Sequence, residues 1–406
     1  MTYPGSLGFI LLTATPDSPV RTSLYTLPFW LLCSSNFLFC VSFSMMIPEL
    51  PDHLASMGGQ QYVGWIIALF TLTAGVSRPF SGKLTDRIGR VPVMAFGSFV
   101  CFLCGILYPF LLSVQAFLLL RLIHGFSTGT KPTATAAYVA DVVPPTRRGE
   151  AMGGLGLFTA MGMSIGPAIG SWLVTDFSLD VMFYTSSVFA LLSILMLMRL
   201  PETLLDREPF RWGLLKLRRD ELFDRDAIRP FWILLLLSFS YGAVLTLAPL
   251  LSKTVGISNK GLFYTVNTVA ALLVRVVFSR TSDRFGRVPV LLVSSAVLAV
   301  GMGLMAVTDT PLLFFTAAIL FGAASGMNSP TIQAWTADLS NEHTRGRAMA
   351  TMYIALEAGI GLGAVAAGWL INHVTGWGMG AAFAVSGGLA LVAVGLLIIW
   401  RKPMES

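Results

Sequence analysis

Apolar runs broken by sparse charged positions make up nearly the whole chain. Stretches free of Asp, Glu, Lys and Arg lie between Arg21 and Glu49, Asp52 and Arg78, Arg90 and Arg121, Glu150 and Asp176, and Asp180 and Arg199. They resume between Arg229 and Lys253, Lys260 and Arg275, Arg287 and Asp309, and Asp309 and Asp338, and a last one runs from Glu357 to Arg401. A membrane-crossing helix takes roughly 20 mostly apolar residues. The pattern therefore predicts twelve helices, near 26–48, 61–82, 92–112, 115–139, 150–174, 181–200, 230–251, 261–280, 288–308, 312–337, 347–371 and 377–400. The fourth contains Arg121 and Lys131 and is still too apolar for a loop.

Composition narrows the class. Charged residues make up 12% of the 406 positions, apolar ones 55%, and glycine adds 39 more. A soluble domain carries about 25% charge, and so little polar surface could not cover so large an apolar core. The expected class is an all-α membrane protein.

Lys and Arg placement sets orientation. With the amino terminus inside, 21 of the 27 basic residues fall in cytoplasmic segments, whereas the outer loops hold only Lys253 and Lys260. Arg78, Arg121, Lys131 and Arg275 fall inside helices. Both termini are expected in the cytoplasm, in a multi-pass protein of the cell (inner or plasma) membrane. The net charge of +6 follows from this rule, and no basic face is organised to track nucleic-acid phosphates. Residues 1–25 read as a cytoplasmic tail without the basic start of a secretory signal. Residues 401–406 form a short tail at the other end.

Between 201 and 229 lie seven basic and seven acidic residues, which read as a solvated cytoplasmic linker between six-helix halves at 26–200 and 230–400. The halves repeat at one ungapped offset of 197 residues. Arg78 falls on Arg275, Asp86-Arg87 on Asp283-Arg284, and Gly89-Arg90-Val91-Pro92-Val93 on Gly286-Arg287-Val288-Pro289-Val290. Farther on, Asp141 falls on Asp338, Arg148-Gly149 on Arg345-Gly346, and Gly166 on Gly363. Parallel six-helix repeats put a binding site where the halves meet and rock.

Over essentially its whole length the chain resembles the major facilitator superfamily, through the loop Gly82-Lys83-Leu84-Thr85-Asp86-Arg87-Ile88-Gly89-Arg90. In the fifth helix, Gly162, Gly166-Pro167 and Gly170-Ser171 resemble the Gly-Pro motif of its drug:proton antiporter branch, with Ser171 in place of a glycine. The resemblance implies twelve helices in two pseudo-symmetric bundles. It also implies a cytoplasmic latch in which Asp86 docks on the start of the eleventh helix and Arg90 lies near Asp141. Asp283, Arg287 and Asp338 would repeat this against the fifth helix, with Arg148 and Arg345 in the same pattern. Gly162, Gly166 and Gly170 share one helical face that lets a neighbour approach, and Pro167 permits a bend. A seal against leak is the resemblance's reading of that motif.

The fourth helix carries the most chemistry. With Arg121 at zero, His124, Thr128, Lys131 and Thr135 fall at roughly 300°, 340°, 280° and 320°, one polar and mostly cationic stripe. Charge at bilayer depth is costly, so the stripe should face water, substrate or a partner. It is expected to line a cavity and favour an anionic or zwitterionic group. Glu357, deep in the eleventh helix, is its expected partner. Burial favours the protonated form of such a carboxyl and a nearby cation favours the charged one. Glu357 and His124 are therefore the candidate proton-coupling groups, against a fixed ion pair or substrate contact for Glu357. The first helix lacks the acidic residue many such antiporters carry there. Arg78 and Arg275 suit pairing, snorkelling or substrate contact equally, and Asn36, Tyr241, Asn267, Asn328 and Gln333 are candidate cavity hydrogen-bonders.

Neither a metal cluster nor a phosphate-binding Gly loop is legible, so no cofactor is expected and a proton gradient is the expected energy source. The expected function is a monomeric secondary transporter, not an enzyme, that exports a small amphipathic, anionic or zwitterionic molecule against protons by alternating access. A metallophore, sugar or organic-anion exporter, an uptake symporter, and a transport-dead sensor stand as alternatives.

Overall fold

In a computed structural model of the chain, the described residues are 26–143, 147–216, 223–278, 281–340 and 345–401, without the side chains at 148, 149, 281, 283, 345–347 and 401. Twelve long helices are described: α1 (Leu27–Met46), α2 (Trp65–Arg87), α3 (Arg90–Leu107), α4 (Val114–Val142), α5 (Arg148–Asp176), α6 (Leu179–Leu197), α7 (Ile228–Thr254), α8 (Leu262–Phe278), α9 (Arg287–Ala306), α10 (Pro311–Leu339), α11 (Arg345–His373) and α12 (Gly378–Arg401). Short helices at Leu50–Ser56 and Thr281–Phe285 extend α1 and α8. Among the described residues, ten helical segments are long and apolar enough to cross a membrane. The other two crossings are α4, with its embedded cations, and the 17-residue α8.

Local chemistry sets several helix starts. Ser113, Ser178 and Thr310 accept the N–H of Ala116, Val181 and Leu313 at the starts of α4, α6 and α10, satisfying donors that have no intrahelical partner. Gly89 (φ +130°) and Gly286 (φ +87°) begin α3 and α9 in backbone that a side chain would strain. Their recurrence at the 197 offset has a backbone cause.

The fold is two pseudo-symmetric six-helix bundles. In the first, α1 packs on α5 and α6, α2 on α4, and α3 on α4 and α6; in the second, α7 packs on α11, α9 on α10 and α12, and α8 on α10. The bundles meet along two seams, α2 with α11 and α5 with α8. Small residues permit the close approach: a Cβ at Gly166 or Gly170 would collide with Ser44 or Met45 of α1, and one at Gly363 with Phe239 of α7. The Gly162–Gly166–Gly170 face thus packs inside its own bundle. Pro167 keeps its place in an unbroken α5 and meets Gly261 of the other half.

The linker is not merely solvated. Glu202 accepts the N–H groups of Arg90 and Val91, both at 3.0 Å, so it sits on the amino-terminal end of α3. Arg87 pairs with Glu208 at 2.7 Å, and Lys83 donates to the Lys216 carbonyl at 2.7 Å.

Candidate functional site

Arg78 of α2 and Glu357 of α11 join the two bundles. Arg78 Nη2 and Nε donate to Glu357 Oε1 at 2.5 and 3.2 Å, and the guanidinium lies 4.6 Å over the Tyr353 ring. The side chains are only 15% and 10% exposed. Glu357 Oε2 has no hydrogen-bond partner among the described residues, while Glu357 also lines a cleft of about 960 Å³ between α2 and α11. The cleft walls are otherwise mostly apolar, with Leu72, Val76, Pro79 and Leu362, and the linker contributes Leu215 and Phe223. Gly75 makes room, since a Cβ there would press on Glu357 at 3.1 Å.

The stripe of α4 goes elsewhere. Arg121, His124 and Lys131 are buried inside the first bundle and do not meet Glu357. Lys131 Nζ donates to Ser35 O (3.1 Å), Ser35 Oγ (3.0 Å), Ser98 Oγ (2.9 Å) and Ser193 Oγ (2.5 Å), and sits 4.7 Å from the Phe39 ring centre. Arg121 donates to Ile66 O at 3.1 Å and to Tyr108 OH at 3.4 Å, over the Phe70 ring. His124 contacts Tyr108 OH through Nδ1 (3.2 Å) and Cys101 Sγ through Nε2 (3.3 Å). Cys101 in turn contacts Ser42, which bonds Ser186. Two polar layers result, each drawing one residue from α1, α3, α4 and α6. Ser42, Cys101, His124 and Ser186 form one layer, and Ser35, Ser98, Lys131 and Ser193 the other.

Hydroxyls and carbonyls therefore satisfy these cations. Among the described residues neither Arg121 nor Lys131 has a carboxylate partner. The expectation of a cavity-lining stripe is corrected by this enclosure. Thr128 is half-buried and bonds its own helix at Gly125 O, and Thr135 likewise bonds Lys131 O.

Other expected residues are dispersed. Asn36 donates to Thr159 across α1 and α5 at 2.7 Å. Asn328 accepts from Ser294, Tyr241 packs its ring 4.7 Å from that of Phe321, and Gln333 reaches Ser329 at 3.3 Å. Asn267 Oδ1 is buried with no hydrogen-bond partner among the described residues, and Arg275 is exposed.

The faces at the two ends differ. On the linker face, Arg90 pairs with Asp141 at 2.9 Å and Arg287 with Asp338 at 2.8 Å, one pair in each bundle. Asp86 is 70% exposed and pairs with Arg90 one turn on at 3.2 Å. Among the described residues it makes no hydrogen bond or ion pair with α11, where the resemblance implied docking. Arg284 stacks over Phe285, while the side chains of Asp283, Arg148 and Arg345 lie outside the described residues. On the far face Lys260 reaches across the halves to Glu49, and to Asp52 at 2.6 Å, where Lys253 joins at 2.6 Å. Ser171 donates to Glu49 at 2.7 Å, and Asn259 to the Ala168 carbonyl at 3.2 Å. Burial pulls the Lys260 amine down, and the Glu49 and Asp52 carboxylates more than offset this, holding it above the ordinary lysine value. This far-face lock was not read from the sequence. Its signal was there: Lys253 and Lys260 are the two lysines expected at that end of the helices, opposite Glu49 and Asp52.

Comparison with known proteins places this geometry in context. A sequence model described as the Major Facilitator Superfamily matches residues 32–266 and 258–406. The chain is 25% identical over 359 residues to multidrug resistance protein MdtG of Klebsiella pneumoniae, covering 82% of this chain and 84% of that one. It is 22% identical over 356 residues to the staphylopine export protein of Staphylococcus aureus, covering 84% and 87%. Among solved structures, a D-xylose-proton symporter superposes with a TM-score of 0.75 at 18% identity, covering 92% of this chain and 96% of that one.

Proposed function

The chain belongs to the Major Facilitator Superfamily of membrane transporters, and from that premise we propose that it exports a small amphipathic molecule in exchange for protons. The observation that carries the reading is the Arg78–Glu357 pair. It is a buried ion pair across the seam between two bundles, beside a cleft of about 960 Å³. The name of the staphylopine export relative supports the direction.

In this reading the termini and linker are cytoplasmic, the chain acts as a monomer, and the halves 26–200 and 230–400 rock as units in the bilayer. With the far face tied and Asp86 undocked, the described conformation is the one open to the cytoplasm. Solute entering from the linker face displaces Arg78 from Glu357 and loosens the α2–α11 seam. Rocking then separates Lys260 from Glu49 and Asp52 and brings the linker-face pairs of Asp86, Arg90, Asp141, Asp283, Arg287 and Asp338 against the opposite bundle. After the solute leaves at the far face, Glu357 takes up a proton there, and it gives that proton to the cytoplasm once the halves have rocked back and the pair with Arg78 re-forms. His124, enclosed between Tyr108 and Cys101, is the weaker coupling candidate. The enclosed α4 cations leave Arg78, with Arg275, as the cationic candidates for an anionic or zwitterionic substrate group.

A substrate screen in proteoliposomes under an imposed pH gradient tests this. The expected result is solute movement out of the compartment facing the linker, opposite to the proton flow. Co-movement of solute and protons would instead identify an uptake symporter, and no movement of any solute would leave a transport-dead sensor.

A further inference from the structure

We propose that the linker segment Leu205–Lys216 is an in-plane anchor that binds the anionic lipid surface on its own face of the membrane. The segment points unusual side chains outward: Leu205 is 94% exposed, Trp212 80% and Phe210 49%, with the two rings edge to face at 5.4 Å. Its inner side is tethered to α2. The Glu208 N–H donates to Arg87 O at 2.8 Å, and the Arg87–Glu208 and Lys83–Lys216 contacts hold either end.

Height in the membrane follows from the neighbours. Leu215 and Phe223 line the α2–α11 cleft, together with Leu72 and Val76, which are exposed by 56% and 57%. Apolar side chains left uncovered on a membrane-crossing helix belong to lipid. The linker therefore lies where hydrocarbon gives way to headgroups, the level that Trp favours for its apolar ring and polar N–H.

Charge supplies the second half of the match. Within Leu205–Lys216 the sequence has three basic residues, Arg207, Arg211 and Lys216, and two acidic ones, Asp206 and Glu208, of which Glu208 is paired with Arg87. Arg207, Arg211 and Lys216 are exposed. Aromatic side chains that insert, flanked by cations that stay in the headgroups, are the composition of a surface-lying anchor on anionic lipid.

The test uses the full chain in nanodiscs of phosphatidylcholine alone or mixed equally with phosphatidylglycerol, read by hydrogen exchange over 205–216. Exchange should slow by about threefold or more in the anionic discs. The double variant Arg207→Gln/Arg211→Gln, on exposed positions that leave the helices untouched, should lose that difference. Lipids brominated near the headgroup end of the chain should quench the fluorescence that Trp212→Phe removes. Equal exchange in both lipids would overturn the proposal. So would protection that changes with Lys260→Gln and not with lipid, because the segment would then be packing on the protein's own helix ends.

Discussion

The helix α4 and its repeat mate α10 occupy equivalent places in the two bundles and have opposite chemistry. Arg121, His124 and Lys131 of α4 correspond, at the 197 offset, to Ala318, Phe321 and Asn328 of α10. The first bundle surrounds Lys131 with hydroxyls at Ser35, Ser98 and Ser193; the second has Trp232, Ser295 and Ala390 at those positions. The same inversion appears at the seams. Arg78 on α2 meets Glu357 on α11, whereas the mates Arg275 and Ala160 cannot pair. Backbone symmetry relates the halves, and asymmetric charge makes one half a braced block and one seam an ion-paired joint.

The sharpest way to break this comparison is to give α10 the cation of α4. Asn328→Lys should cost about 3 kcal/mol, the scale for a lysine at bilayer depth without a prepared cage. It would be seen as lost folded yield and a lower melting temperature in detergent. Toleration of that lysine would mean the serine cage is not what makes Lys131 bearable.

The seam comes next. Arg78→Met should lower stability by about 2–3 kcal/mol by leaving a carboxylate unpaired in a largely buried site. Adding Glu357→Leu should recover most of that loss. If the double variant is no better than the single, the pair is not the seam's coupling.

A smaller effect is expected at the far face. Lys260→Gln should shift the balance between the two openings by roughly tenfold toward far-face opening, since Glu49 keeps a buried charge without its cation. Spin labels across the far face report the distance change; an unchanged distribution would remove the lock from the cycle.

The smallest concerns pH. A Lys260 value raised by the tied state means that the protonated amine favours tying. That contribution is complete below the ordinary lysine value of 10.5 and is lost as pH climbs through the raised one. The same label distances should therefore be flat from pH 7 to about 10. An opening of the far face within that window would contradict the assignment.

The twelve helices and their repeat were legible because hydrophobic runs and one ungapped offset depend only on local pattern. The α4 stripe was legible as a face, but where it pointed was not. Its partners Ser35, Ser98 and Ser193 look like ordinary small residues in apolar helices, and only the seven-residue spacings 35/42, 124/131 and 186/193 hint at layers. Glu357 stood out as a carboxylate in an apolar helix. Its partner was obscure, because Arg78 lies 279 residues away and the pairing depends on how two bundles turn toward each other. The capping role of Glu202 was hidden for the same reason, as it depends on the linker folding back over α3.

The central claim is that Glu357 carries the exchanged proton at the α2–α11 seam. The most direct measurement compares parent and Glu357→Gln in proteoliposomes, by solute flux under a pH gradient and by solute exchange without one. Gradient-driven flux should vanish in the variant while gradient-free exchange persists. Undiminished driven flux in Glu357→Gln would contradict the account.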